Sequence, residues 1–127
     1  MTKKSKKKKS YNFGIAAEFL AAIFLWLNFY RVVAMRYKNP KGEIDILAIK
    51  GNTLVVVEVK ARQSFASGAE SITAQKQKKI SGAVEWLMAG RAKIAGLNNL
   101  SERNIRFDVI LIVPWRLPKH IKDAWRM

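Results

Sequence analysis

The chain has 127 residues, the size of one ordinary domain, and half of them are hydrophobic, so it can bury a real core. It carries 24 Lys and Arg against 9 Asp and Glu, a formal net charge of +15, which points to a polyanionic partner: DNA, RNA or an anionic membrane. No cysteine is present, which excludes disulfides, thiolate zinc sites and thiol catalysis and fits a reducing cytoplasm, the expected location.

The first ten residues, MTKKSKKKKS, hold six lysines and are expected to form a disordered basic tail, with a single domain over 11–127. A basic start before an apolar stretch has the outline of a secretory signal. The uninterrupted apolar run Phe19–Leu27 is too short for that reading to become a span, which needs about 20 residues, and no small-residue cleavage site follows. A buried helix from about Asn12 to Val33 is predicted instead, and membrane association is not expected. This helix is apolar nearly all round, so a homodimer through it is the expected way to bury the excess. Glu18 stands on its apolar stripe, with Ala21, Ala22 and Leu25 as its i+3, i+4 and i+7 neighbours. A carboxylate there is costly unless paired or bound to a cation; alternatively it lies in the first turns, where water and the helix dipole favour negative charge.

A short strand is predicted over Val33–Tyr37, then a turn at Asn39–Gly42, then two strands, Glu43–Ile49 and Thr53–Ala61. A type II′ turn at Gly51-Asn52 sets the register of this hairpin. Lys50 then faces Thr53, Leu47 faces Val56, Asp45 faces Glu58 and Glu43 faces Lys60. Asp45, Glu58 and Lys60 share one face, and the other face, Ile44, Ile46, Ala48, Val55, Val57 and Val59, is purely apolar. After a loop at Gln63–Gly68, Thr73 caps a second helix from about Ala74 to Ala95, with an apolar stripe of Ile80, Ala83, Val84, Leu87 and Met88. Lys76, Gln77, Lys78 and Lys79 crowd its first turns. A last long strand covers Ile105–Val113 and ends at Pro114. No structure is assigned to Trp115–Met127, and His120 within it is expected to be a surface histidine. The order α-β-β-β-α-β predicts an α/β fold, a mixed sheet with helices packed on it.

Carboxylates placed directly opposite one another on a hairpin repel at Cβ separations of roughly 4.5–5.5 Å. Mg²⁺ or Mn²⁺ bound by Asp45 and Glu58 would offset that repulsion, since hard cations take oxygen ligands, and Lys60 would stabilise charge developing on a phosphate. The competing reading is an exposed strand face with a Glu43–Lys60 ion pair.

Gly42-Glu43-Ile44-Asp45 and Val57-Glu58-Val59-Lys60 resemble the signature of the PD-(D/E)xK nuclease superfamily. The chain as a whole resembles the YraN family of small bacterial proteins, through Ala16-Ala17-Glu18, those two strings, Arg62, Thr73-Ala74-Gln75-Lys76-Gln77 and Arg106-Phe107-Asp108. It departs from the usual pattern at Ala61, where Thr is common. The resemblance implies a restriction-endonuclease-like fold, similar to Holliday junction resolvases. It makes Asp45 and Glu58 metal ligands, Lys60 the catalytic lysine and Glu18 a further acid at the site, with Gln77 or Lys76 approaching from the second helix. Arg62, Lys76, Lys78 and Lys79 are the expected nucleic-acid contacts. The expected activity is metal-dependent hydrolysis of phosphodiesters, of DNA rather than RNA, selective for structure because no base-reading motif is visible. The alternative is a non-catalytic nucleic-acid-binding accessory protein that carries an unused site.

Overall fold

The computed structural model describes the backbone of residues 3–65, 72–90 and 93–127, with side chains from residue 13 onward. Helix α1 spans Lys3–Leu27, and strands β1 (Arg31–Asn39), β2 (Gly42–Lys50) and β3 (Thr53–Ala61) follow as a meander. Helix α2 (Ala74–Met88) crosses to β4 (Asn104–Ile112), and β5 (Lys119–Trp125) closes the chain. The five strands lie in the order β1-β2-β3-β4-β5. Among the described residues only β3 and β4 pair in parallel. Parallel neighbours require a crossover, and α2 supplies it. Among the described residues no helix is long and apolar enough to cross a membrane.

Each face of the sheet is covered by one helix. Ala17, Ala21 and Leu25 of α1, with Tyr30, pack on Ile46, Ala48, Val55, Val57, Ile110 and Ile112. Ile80, Ala83, Val84 and Leu87 of α2 pack on Leu47, Ile49, Leu54, Val56 and Phe107. Strand β3 is therefore buried on both faces, which is why it reads as an unbroken apolar run before Glu58. The predicted hairpin register is present from Lys50↔Thr53 to Ile46↔Val57. Gly51 has φ +58, as a type II′ turn requires at its first central position.

Several expectations need correction. The first helix ends at Leu27, not Val33: Asn28 folds its side-chain amide onto the Phe24 carbonyl at 2.8 Å, and Phe29 turns left-handed at φ 67. The β-branched Val32 and Val33 then join a nine-residue edge strand. At its other end the helical backbone begins at Lys3, inside the run expected to be disordered; lysine is a good helix former, and extension from a formed helix is easy. Helix α2 stops at Met88, short of Ala95. Ile44 belongs to the α2 cluster and not to the α1 face with Ile46, because the ladder is interrupted at Asp45. A fifth strand follows Pro118, in a segment whose sequence predicts no element. It is held through Asp108, which accepts Nε and Nη2 of Arg106, both at 2.8 Å, Nε2 of His120 at 2.7 Å and the Asp123 amide at 3.0 Å. His120 is accordingly half-buried, against the rings of Phe24 and Tyr30, and not a surface histidine.

Candidate active site

The hairpin ladder stops one pair short of Asp45. Beyond it, Asp45 Oδ2 accepts the Val59 amide at 2.8 Å. The carboxylate thus takes the place of a backbone acceptor where β2 and β3 part. Glu58 stands next to it on β3 with its side chain largely buried. Burial first, and the Asp45 charge second, push the Glu58 carboxyl up to about 8, against the opposing pull of Lys76, whose Nζ lies 3.5 Å from Glu58 Oε1. Lys60 follows two residues on and is half-buried; strand alternation gives it the same face as Glu58.

Glu18 reaches the same region from α1. Burial and the charge of Asp45 raise its pKa, while Arg36, with Nε 3.6 Å from Glu18 Oε2, lowers it. That oxygen is buried and, among the described residues, has no hydrogen-bond partner, since 3.6 Å is an ion-pair distance only. The first helix, β2 and β3 therefore bring three acids together, two of them with raised pKa values. Yet among the described residues no group of three or more His, Cys, Asp or Glu is gathered closely enough to hold a metal ion. Direct protein ligation would fall to the Asp45–Glu58 pair.

Glu43 does not support the exposed-face reading. Its Oε1 lies 2.9 Å from Lys38 Nζ on β1, a contact that lowers its pKa. The face that carries Glu58 is buried under α2 along Leu47, Ile49, Leu54 and Val56.

The predicted positive contacts divide. Lys76 is at the site, through Glu58. Gln77 turns back on its own helix start, donating Nε2 to the Ile72 carbonyl at 2.8 Å. Thr73 caps α2 as expected, accepting the Lys76 amide at 3.2 Å. Lys78 and Lys79 are exposed on the first turns. Arg62 continues β3, its amide bonded to Ile112 and its Nη1 to the Ala61 carbonyl. A groove of about 440 Å³ between the β1–β2 turn and α2 is lined by Lys38, Lys41, Lys76 and Lys79. Gly42 allows the start of β2 to approach the α2 backbone closely beside this groove: a Cβ there would meet the Lys79 carbonyl oxygen at 2.7 Å. Sequence reasoning missed Lys38, Lys41 and Arg36; only the β1–β2 turn could have signalled them, by bringing its lysines beside the GEID string.

The topology gathers all of this at one end of the sheet. Strand β2 begins there and β3 ends there, α2 starts there, and α1 approaches with Glu18 and leaves toward the hairpin turn, where Asn28 receives Lys50. The fold is α/β with the restriction-endonuclease-like arrangement, and a clustered set of acids and lysines lies where β2 and β3 separate. The chain belongs to the uncharacterised protein family UPF0102, whose family model matches residues 17–112. It is similar to a UPF0102 protein of Parvibaculum lavamentivorans, 44% identical over 117 residues, covering 92% of this chain and 84% of the relative. It is also similar to UPF0102 proteins of Rhizobium etli, 39% identical over 119 residues, and of Bartonella quintana, 36% over 119; each alignment covers 94% of this chain and 93% of the relative.

Proposed function

We propose that this protein is a metal-dependent endonuclease that hydrolyses phosphodiester bonds of DNA. The observation that carries the reading is geometric: the buried Glu58 carboxyl stands against Asp45 where β2 and β3 part, beside a groove lined with lysines. A carboxylate buried against another carboxylate costs stability. A hard cation would repay that cost, and Mg²⁺ or Mn²⁺ suits an oxygen donor set. Asp45 and Glu58 would hold the ion directly, Glu18 would act at one remove, and water would complete the coordination. An ion bound there supplies Lewis-acid activation of a water and of the leaving oxygen. Lys60 is the catalytic lysine, placed to meet charge developing on the phosphate. Lys76, whose Nζ lies 3.5 Å from Glu58 Oε1, would contact the phosphate backbone beside the site. The lysines of the groove contact phosphates, which fixes position and carries no sequence information. The apolar outer face of α1 dimerises the protein, and the protein works in the cytoplasm.

One observation favours a second reading, a nucleic-acid-binding accessory protein with an unused site. The Lys76–Glu58 ion pair already offsets part of the buried charge. Purified protein on duplex, single-stranded and branched DNA and on RNA, with Mg²⁺ or Mn²⁺, separates the two. Cleavage that disappears in Glu58→Gln and in Lys60→Ala supports the nuclease. Tight binding by wild type without cleavage of any substrate supports the accessory protein.

A further inference from the structure

Between β4 and β5 the chain makes a tight turn in which the Arg116 amide bonds to the Val113 carbonyl at 3.2 Å. Pro114 takes the second position of that turn and Trp115 the third, with φ 63. This is the arrangement of a type II turn, whose third position calls for glycine or asparagine. The residue there is instead the bulkiest one available, and it is fully exposed. Pro118 closes the turn from the other side. Local strain at a solvent-exposed tip brings nothing to the core of the fold, which makes it a pointer to function.

The position of the tip relative to the acids follows from register. Strands β3 and β4 are parallel and paired through Glu58↔Val109 to Ala61↔Ile112. The Trp115 turn therefore leaves the sheet at the end where β3 delivers Glu58 and Lys60. At about 3.3 Å per residue the Trp115 backbone lies within roughly 20 Å of the site along the sheet. It stands on one flank, beside Arg116, and the lysine groove of β1, β2 and α2 stands on the other. A nucleic acid held by the groove with a phosphate at the acids would meet Trp115 a few nucleotides further on.

We infer that Trp115 is a stacking platform for an unpaired base, and that it makes the protein selective for DNA in which single-stranded nucleotides adjoin a duplex. In an intact duplex every base is already stacked, so the indole gains nothing there; beside a branch or flap an exposed base face is available to it. Stacking on an aromatic side chain strengthens binding by about 5- to 150-fold per base and tolerates any sequence. The inference rests on the nuclease reading for the position of the phosphate, but its test does not depend on cleavage.

The test compares wild type, Trp115→Gly and Trp115→Phe for binding to a labelled duplex and to the same duplex with a short single-stranded flap, by fluorescence anisotropy without metal. A 2-aminopurine placed in the flap reports stacking through its quenching. Wild type is expected to prefer the flapped substrate and to quench the probe. Trp115→Gly is expected to lose that preference, by a factor in the same range, while its duplex affinity holds and its melting temperature stays level or rises, since glycine suits the turn. Trp115→Phe should keep most of both effects. Equal flap preference in wild type and Trp115→Gly, equal loss on both substrates, or self-association that depends on Trp115 would overturn the proposal. Flap preference without cleavage would sink the nuclease reading alone, and cleavage without flap preference would sink this one alone.

Discussion

At the scale of single residues, two buried carboxylates end on opposite sides of the ordinary range because their partners differ. Glu58 faces another acid and is raised to about 8. Its contribution to metal-free stability is present below the ordinary carboxylate pKa and is lost as the pH rises through about 8. The wild-type melting temperature without metal should therefore fall by a few degrees between pH 6 and 9, and Glu58→Gln should flatten that slope in a pH series of thermal melts. Asp108 is also buried, which raises its pKa, but hydrogen bonds from His120, Arg106 and the Asp123 amide outweigh burial and hold it at about 2. Its contribution is present at neutral pH and is lost as the pH drops from about 4 toward 2. Asp108→Asn should cost about 3 kcal/mol in urea denaturation at pH 7, because it leaves a half-buried Arg106 without its anion. A loss below about 1 kcal/mol would mean that Arg106 is satisfied by water and Tyr30 alone. Glu58 and Asp45 were legible in the sequence because a Gly-Asn turn between two apolar strands fixes a hairpin register. The lift of Asp45 onto the Val59 amide was not, because a side chain that replaces a ladder acceptor leaves no mark on residue spacing.

At the scale of elements, the termini of the domain carried the least readable information. Strand β5 hides behind Pro114 and Pro118 in a charged segment with no alternation. What secures it is a buried cluster, with Asp108 and His120 on opposite strands and Trp125 stacked on Phe107 at 3.9 Å between ring centroids. Two prolines bracketing a tryptophan after a strand are compatible with a hairpin, and that was the available signal. Asp108→Asn should accordingly release β5 before the rest of the sheet. Hydrogen exchange should lose protection over residues 119–125 first, and uniform loss across β2 and β3 would contradict a local latch. The surplus of apolar residues on helix α1 is legible in the sequence and present in the structure. Its inner line, Ala17, Ala21 and Leu25, is buried, while Phe19, Leu20, Ile23, Trp26 and Leu27 on its outer side are exposed. That surplus is the ground for the proposed dimer. Light scattering at micromolar concentration should give twice the monomer mass, and Ile23→Glu with Trp26→Glu should return the monomer. Monomeric wild type across that range would end the proposal.

At the scale of the whole molecule, the fold brings part of the net charge of +15 to the end of the sheet that holds the acids, where Lys38, Lys41, Lys76 and Lys79 line one groove. The N-terminal half of α1 runs past the end of the sheet that holds the acids, and at about 1.5 Å per residue Lys3 lies roughly 22 Å along the helix axis from Glu18. Removing residues 1–10 takes away six lysines, so the slope of log affinity for duplex DNA against log salt should lessen by up to about 5. An unchanged slope would mean that this segment does not touch the phosphates. The central claim, that Asp45 and Glu58 form a divalent-cation site served by Lys60, is tested most directly by thermal melting with and without Mg²⁺ or Mn²⁺, run beside cleavage assays for wild type, Asp45→Asn and Lys60→Ala. Metal should raise the wild-type melting temperature in proportion to its occupancy. Asp45→Asn should abolish that rise, while Lys60→Ala should keep the rise and lose cleavage. A wild-type melting temperature indifferent to saturating metal, with Asp45→Asn simply destabilised, would show the paired carboxylates to be structural and would contradict the account.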